Sequence, residues 1–403
     1  MKPDAPIAGS FRLVSFQELE PRLLLATYYA VTDLGTLGGD YSRALGLNDD
    51  GLVIGYAALA SGDGRAFVWE SGSMTALPTA TYGDTSAAYD ISGEGRIVGR
   101  MDHDAAGGNR GFLYNSSLQE IPPVLAGYTS LARGVNDSGL VVGYTTDSSG
   151  NSYPFIWDAV HGSLLLELDK GTALAVNEVG TIAGKLQAAS GYYHPTIWKW
   201  NVPTDLTPSL SGHGEALGVN DYDVAVGWHH TGVGQRYTAF RWSAQGGMTD
   251  LGTLDDDIRS TAWAVNNDGQ IVGSSASLSE TRAFVYDAGQ MYDLNGLLGP
   301  DSPWWLECAY DINDEGQIVG GGYVSGSANE HAFLLTPDHQ GPSAVLSAAN
   351  VTIAGGDSHT FSVTYSDAVA VDVSTLDDID IRVTGPGGFN RATVLVGVDV
   401  GSD

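Results

Sequence analysis

The hydrophobic and polar positions of the chain follow a pattern that occurs seven times. Each copy has an apolar run, a turn rich in Asn, Asp and Gly, and a second apolar run, as in "ALGLNDDGLVIG" from Ala44. The copies begin at positions 44, 88, 132, 173, 216, 262 and 309, so successive starts are 41 to 47 residues apart. Two apolar runs joined by such a turn predict a β-hairpin, and a fixed period of this length predicts a repeat fold.

A third apolar run follows each hairpin, as in "RAFVW" (65–69) and "HAFLL" (331–335), and a weaker fourth run usually follows it, as in "MTALP" (74–78). Runs that are apolar on both faces are typical of strands sandwiched between neighbouring sheets. Four short strands per repeat and about 40 to 45 residues per unit match a propeller blade. The sequence therefore predicts an all-β fold, a seven-bladed β-propeller of four-stranded blades, with a linear solenoid as the competing architecture.

The two ends of the repeat array favour the closed ring. The last repeat stops at "HAFLLTP" without a fourth run, whereas "TDLGTL" (32–37) precedes the first hairpin and is identical to the fourth run at 249–254. If this N-terminal strand completes the closing blade, no edge strand remains exposed. The "NDxG" turns are expected to serve backbone geometry, with Gly139 and its equivalents at positive φ, rather than to bind calcium.

The chain divides into four segments at the sequence level. Residues 1–29 form a leader expected to lie mostly outside the fold, 30–337 form the propeller, 338–344 form a Pro-containing linker, and 345–403 form a last segment. Alternation in "HTFSVTY" and "DIDIRV" predicts half-buried strands there. This segment resembles a partial immunoglobulin-like β-sandwich, and because only four or five strands fit before Asp403, we expect it to be truncated.

Two stretches resemble known families. The repeats, with His331-Ala332-Phe333 in the last copy, are similar to the HAF repeat family of extracellular bacterial proteins, over roughly residues 32 to 337. Leu19, Glu20, Pro21, Arg22, Leu24 and Leu25 resemble the LEPR-XLL motif found near the start of bacterial surface proteins. These resemblances imply a repeat architecture, export, and an extracellular or cell-surface location. They imply no activity.

Composition narrows the classes of partner. Gly, at 54 residues, suits many tight turns, and the net charge of −30 leaves no basic surface for nucleic acid. Cys308 is the single cysteine, so no intrachain disulfide can form. No apolar run approaches the length needed to cross a bilayer, so a chain that is not membrane-spanning is expected. The oligomeric state is left open.

The candidate binding residues are aromatic and lie in the segments that vary between repeats. Variable loops on one rim of a rigid scaffold commonly carry binding function. The predicted ligand-binding residues are Trp304, Trp305, Trp228, Tyr192 and Tyr193, with a surface glycan or a protein as the partner. Trp304 and Trp305 are expected in an irregular loop that buries one ring and displays the other. The alternative is that each ring only packs against a neighbouring blade.

The sequence shows no recurring catalytic arrangement, so no catalytic residue is assigned and a non-enzymatic protein is expected. The alternative is a hydrolase or lyase acting on polysaccharide through rim carboxylates at Asp255, Asp256, Asp257 and Asp301. A metal site at His213, His229 and His230 lacks a suitably spaced carboxylate. No cofactor is expected apart from Ca²⁺ in the C-terminal segment, for which the candidate ligands are Asp367, Asp372, Asp377, Asp378 and Asp380.

Overall fold

The computed structural model describes residues 28–79, 85–103, 108–209, 211–231, 236–255, 257–299, 302–338, 343–347, 360–366, 382–385 and 389–398. Residues Tyr29 to Pro337 form one compact unit, and the remaining residues form a second. Within the described residues the first unit is built from four-stranded antiparallel sheets and one short 3₁₀ helix, Leu294–Leu297. No helix in these residues is long and apolar enough to span a membrane.

The first strand of the chain belongs to the last blade. It is β1 (Tyr29–Asp33). The first three blades are β2 (Gly38–Leu47), β3 (Val53–Leu59), β4 (Gly64–Glu70) and β5 (Ser73–Ala76); β6 (Ser86–Ile91), β7 (Ile97–Asp102), β8 (Asn109–Tyr114) and β9 (Leu118–Ile121); and β10 (Thr129–Val135), β11 (Val141–Thr146), β12 (Ser152–Asp158) and β13 (Gly162–Leu165).

Blades four to six repeat this arrangement. They are β14 (Gly171–Val176), β15 (Ile182–Gln187), β16 (Tyr193–Lys199) and β17 (Val202–Asp205); β18 (Gly214–Val219), β19 (Ala225–His230), β20 (Tyr237–Ser243) and β21 (Gly247–Gly252); and β22 (Arg259–Val265), β23 (Ile271–Ala276), β24 (Thr281–Asp287) and β25 (Gln290–Asp293). A single parallel bridge between Tyr237 and Arg259 links blades five and six.

Blade seven closes the ring as the sequence predicts. It consists of β26 (Trp304–Ile312), β27 (Ile318–Val324) and β28 (Glu330–Pro337), and β1 pairs antiparallel with β28 from Tyr29 opposite Pro337 to Asp33 opposite Phe333. The first strand of every blade contacts the first strands of both neighbouring blades, including β2 against β26. The seven first strands therefore surround a central channel, as in a closed propeller.

Every first strand carries a β-bulge in the middle of its pairing with the second strand. The residue left without a partner follows the buried Ala of the repeat. The seven positions are Leu45, Tyr89, Arg133, Leu174, Leu217, Trp263 and Tyr310. All seven side chains are half-buried. A bulge changes the direction in which its side chain points. The residue type at this position differs between blades, so the bulges place different chemical groups around an otherwise regular ring.

A serine on the first strand joins one blade to the blade before it. The Ser130 hydroxyl accepts the N–H of Gly111 at 3.0 Å and donates to the carbonyl of Ile121 at 2.7 Å. Ser42, Ser86 and Ser260 accept the equivalent N–H groups of Ala332, Ala66 and Ala239. These N–H groups lie at the end of the pairing between the third and fourth strands, and the hydroxyl satisfies a buried donor there.

Three blade junctions lack this serine, and two of them lack the donor as well. The third strands of blades three and four carry Pro154 and Pro195 at the donor position, and the next first strands carry Gly171 and Gly214 at the serine position. Proline has no backbone N–H. A Cβ at Gly214 would lie 2.8 Å from Cγ and 2.9 Å from Cδ of Pro195, so the two residues fit as a pair.

The "NDxG" turns form a second set of links around the opposite end of the channel. The Asn side-chain amide of one blade donates to the backbone carbonyl of the Asn in the next, from Asn136 through Asn177, Asn220 and Asn266 to Asn313 and then Asn48. In blade two Ser92 stands in place of Asn. Gly139 has φ of 81°, as expected, and Asp223 takes the left-handed conformation in blade five.

The second unit is described by two short hairpins. They pair β29 (Ser343–Ser347) with β30 (Ser362–Ser366), and β31 (Arg382–Gly385) with β32 (Phe389–Ala392). The immunoglobulin-like assignment of 345–403 remains a prediction. The candidate calcium ligands Asp367, Asp372, Asp377, Asp378 and Asp380 lie outside the described residues, as do the LEPR-XLL positions.

Candidate functional site

The connections between second and third strands, and those between blades, lie at one end of the propeller, which we call the variable-loop rim. Six aromatic side chains of blades four and five form a connected cluster there, the aromatic patch: Tyr192, Tyr193, His213, Trp228, His230 and Tyr237. They come from the end of β19, the starts of β16 and β20, and the segment before β18. Three predicted ligand-binding residues, Tyr192, Tyr193 and Trp228, are thus brought together.

The rings of the patch touch in sequence. The His213 ring lies 5.1 Å from Tyr192, edge to face, and stacks on Tyr193 at 5.9 Å. Across the blade junction, His213 lies 6.2 Å from His230. Trp228 then contacts both His230, at 5.8 Å, and Tyr237, at 5.2 Å. None of the six is fully buried, and Tyr192 is 38% exposed, so the patch offers aromatic surface to solvent.

Hydrogen bonds and charges fix the patch in place. The Nδ1 atom of His213 accepts the N–H of Tyr193 at 3.1 Å. Burial and the nearby charges of His230 and Lys185 lower the pKa of His213, which favours the neutral ring that this bond requires. Lys185 lies over the Tyr193 ring at 5.4 Å and pairs with Glu215 at 2.9 Å. Such cation–π contacts and ion pairs order the rings before any ligand arrives.

The histidines do not converge on a metal position. His229 turns away from the patch, packs edge-on against Phe240 at 6.0 Å, and places Nε2 3.8 Å from Asp250. Burial lowers the pKa of His229. Among the described residues no group of three or more His, Cys, Asp or Glu side chains could hold a metal ion.

Trp304 and Trp305 lie on the same rim but in blade seven. They begin strand β26, so the predicted irregular loop is wrong at these two positions: Trp304 pairs with Val324 and Trp305 with Tyr323. Neighbouring residues of a strand point to opposite faces, and accordingly Trp304 packs against Phe333 at 6.1 Å whereas Trp305 is 39% exposed. The Trp305 indole N–H donates to the carbonyl of Thr281 at 3.2 Å.

A shallow cavity of about 560 Å³ lies beside these two rings and is also lined by Pro303 and Tyr323. It contains none of the patch residues. The five predicted ligand-binding residues therefore fall into two places on the rim, with three in the aromatic patch and two at the cavity of blade seven.

The two described rim carboxylates of the alternative hydrolase or lyase are paired with an arginine. Asp255 and Asp257 both pair with Arg282, at 3.2 and 3.0 Å, and Asp293 pairs with it at 3.1 Å. These carboxylates raise the pKa of the guanidinium, although burial opposes them. An acid and base pair needs one carboxyl free to hold a proton, which this arrangement does not provide. Asp256 and Asp301 lie outside the described residues.

Sequence reasoning missed half of the patch. The sequence suggests His213 and His230 only as metal ligands, and no sequence signal marks Tyr237. Their convergence depends on blades four and five meeting side by side, which no short motif encodes. It also missed Trp200, which is 88% exposed in the turn between β16 and β17, at the end of the propeller opposite the variable-loop rim.

No family model and no curated protein matches this chain. Solved structures share its fold. The β-propeller domain of the trilobed protease from Pyrococcus furiosus has a TM-score of 0.50 at 9% identity, covering 75% of this chain and 97% of that one. The acylaminoacyl peptidase from Pyrococcus horikoshii has a TM-score of 0.51 at 12% identity, covering 80% of this chain and 58% of that one. The likeness establishes a β-propeller.

The same comparison corrects one prediction. The sequence was interpreted as that of a non-enzymatic protein, because no catalytic arrangement recurs in it. That prediction is wrong: the two propellers above belong to a protease and a peptidase. A propeller without a recurring catalytic motif is therefore compatible with enzymatic proteins.

Proposed function

We propose that the protein binds a glycan at the aromatic patch of its variable-loop rim, outside the cell or at the cell surface. The observation that carries the proposal is the connected set of six rings from Tyr192 to Tyr237, none of which is fully buried. Aromatic side chains combine a large apolar face with a polar edge. The apolar faces of sugar rings stack on such surfaces, while hydroxyl groups require hydrogen-bonding partners at the rim of the stack.

The patch supplies both kinds of contact. Trp228, Tyr192 and Tyr237 provide ring surface, and the imidazole of His230 and the tyrosine hydroxyls provide donors and acceptors. Because the rings hold one another through edge and stacked contacts, little side-chain freedom remains to be lost on binding. The proposed location rests on the resemblance of the repeats to the HAF family.

The test is binding of purified full-length protein to an oligosaccharide array, followed by calorimetry with the glycans that bind. Trp228→Ala and Tyr192→Ala should each weaken binding by about 1 to 3 kcal/mol, or roughly 5- to 150-fold. Tyr222→Ala is the matched control, because Tyr222 is a 73% exposed tyrosine in the β18–β19 turn at the opposite end of blade five. Normal binding by both patch variants, or binding of peptides and of no glycan, would contradict the proposal.

A further inference from the structure

Two half-buried arginines that meet at the junction of blades two and three have no carboxylate partner among the described residues, although acidic residues outnumber basic ones by 48 to 18. Arg96 and Arg259 likewise have no carboxylate partner in the described propeller, whereas Arg43 pairs with Glu330 and Arg282 with three aspartates. Arg100 and Arg133, in contrast, have no described carboxylate within 4 Å in the structure. The charge of Arg133 acts on the nearby Asp90 carboxyl, but no carboxylate binds its guanidinium, and a half-buried charge without a hydrogen-bonded partner is costly.

The two guanidinium groups share one tyrosine at the junction of blades two and three. Arg133 stacks over the Tyr89 ring with its Cζ 4.3 Å from the ring centre. Arg100 donates from Nε to the Tyr89 hydroxyl at 2.8 Å and from Nη1 to Oδ1 of Asn109 at 3.1 Å. The positive charges of both act on Tyr144, where they oppose the rise in pKa that burial of its hydroxyl causes. The two arginines and Tyr89 therefore form one cluster.

Arg133 has a hydrogen-bond donor without a partner among the described residues. Its Nε is buried and has no hydrogen-bond partner in the described structure. A guanidinium presents its donors as a planar fork that matches the oxygens of a carboxylate, sulfate or phosphate. Stacking on Tyr89 fixes the plane of the Arg133 guanidinium group and leaves the N–H groups at its edge available to a ligand.

The fold itself does not require arginine at this position. Arg133 occupies the bulge position of its first strand, and three other blades carry leucine there: Leu45, Leu174 and Leu217. Leucine avoids the desolvation of a charge, so a purely structural residue would be apolar.

The charges along the channel also differ between its ends. The end formed by the "NDxG" turns carries a ring of carboxylates in which Glu178 binds the N–H of Asp137, Asp221 that of Glu178, and Asp49 that of Asp314. Arg100 and Arg133 lie toward the variable-loop rim from this ring, because they sit on the strands that lead away from it. The carboxylate ring therefore disfavours an anion at one end of the channel, and the two guanidinium groups supply positive charge nearer the other.

We propose that Arg100 and Arg133 form an oxyanion site entered from the variable-loop rim, which binds the carboxylate, sulfate or phosphate group of a ligand. Tyr89 positions both guanidinium groups. This site lies in blades two and three and does not depend on the aromatic patch of blades four and five.

The test is calorimetric titration of the full chain with sodium sulfate, inorganic phosphate and sodium glucuronate, each at constant ionic strength. We expect saturable binding of at least one of them with Kd below roughly 10 mM. Arg133→Leu, which installs the residue of three other blades, should weaken it by at least about tenfold, and Arg133→Lys should weaken it less, because the charge remains but the fork is lost.

Arg241→Leu is the control, because Arg241 lies on the third strand of blade five, outside the cluster. Trp228→Ala should leave anion binding unchanged, which separates this site from the glycan site. The three probes distinguish a uronate, a sulfated and a phosphorylated ligand. The proposal is overturned if none of the three ions binds, or if Arg133→Leu and Arg133→Lys both bind them as the unaltered protein does. A folding defect in Arg133→Leu leaves the lysine variant to decide.

Discussion

The pairing of serine with an N–H donor, and of glycine with proline, makes a specific prediction about the blade junctions. Ser86 accepts the N–H of Ala66 at 3.0 Å, and both residues are buried. Ala66 pairs with Tyr56 in the same register in which Pro154 pairs with Tyr144. The double variant Ala66→Pro with Ser86→Gly therefore converts the junction of blades one and two into the kind seen between blades four and five.

The single changes should each be harmful. Ser86→Gly leaves the Ala66 N–H buried and unpaired, which costs about 1 to 3 kcal/mol. Ala66→Pro removes the donor but pushes its ring against Ser86, since at Gly214 a Cβ would lie only 2.8 Å from Pro195 Cγ; overpacking of this kind costs about 1 to 3 kcal/mol. In the double variant both faults disappear, so its total cost should be at most about 1 kcal/mol, a coupling of about 2 kcal/mol or more.

The assay is urea denaturation of the four proteins, with the free energy of unfolding compared at equal m-value. Gly111 takes the place of Ala66 in blade two. It is a poor site for the same double change, because a Cβ there would lie 3.1 Å from the backbone nitrogen of Ala132. If the two single costs add within about 0.5 kcal/mol in the double variant, the two residues are independent and the reasoning about the junctions is refuted.

Three further predictions follow from the ring. Removal of residues 1 to 37 takes away β1 and leaves the edge of β28 unpaired, so the melting temperature should fall and the protein should self-associate. An unchanged melting temperature, together with a monomeric mass by light scattering, would contradict ring closure. Gly139→Val places a β-branched residue at φ of 81° and should cost about 1 to 3 kcal/mol in urea denaturation, whereas a cost near zero would contradict that geometry. Burial raises the pKa of Asp90 to about 8 and that of Asp311 to about 7 from 3.8, so between these values the folded state holds protons that the unfolded state has lost. The contribution of these two groups to stability should therefore be greatest below pH 4 and should fall by about 4 to 5 kcal/mol per group as the pH rises to 8. Asp90→Asn should flatten this slope, and an identical slope in the variant would contradict the assignment.

The regular parts of the fold could be predicted because each is encoded locally. The turn residues, the alternation of each strand and the orphan "TDLGTL" all lie within short stretches, and they lead to seven blades and to closure by β1. The bulge is also visible in the spacing of apolar residues along the strand. Ala44 and Leu47 are both buried, although they are three positions apart and strict alternation would place them on opposite faces. The proline and glycine at the third and fourth junctions could likewise have been found by aligning the seven repeats.

The sites could not be predicted in the same way, because they are formed between blades. His213 and His230 meet only when blades four and five lie side by side, and Arg100 and Arg133 meet only through Tyr89. Asp90 and Asp311 stand in strand patterns that carry glycine or alanine in the other five repeats. Their electrostatic coupling depends on the ring bringing blades two and seven near the same channel.

The measurement that tests the proposed function most directly is a crystal structure of the full chain soaked with an oligosaccharide that binds it in solution. The expected result is sugar density stacked on Trp228 and Tyr192 at the variable-loop rim. Density at the opposite end beside Trp200 and Tyr222, with the aromatic patch left bare, would contradict it.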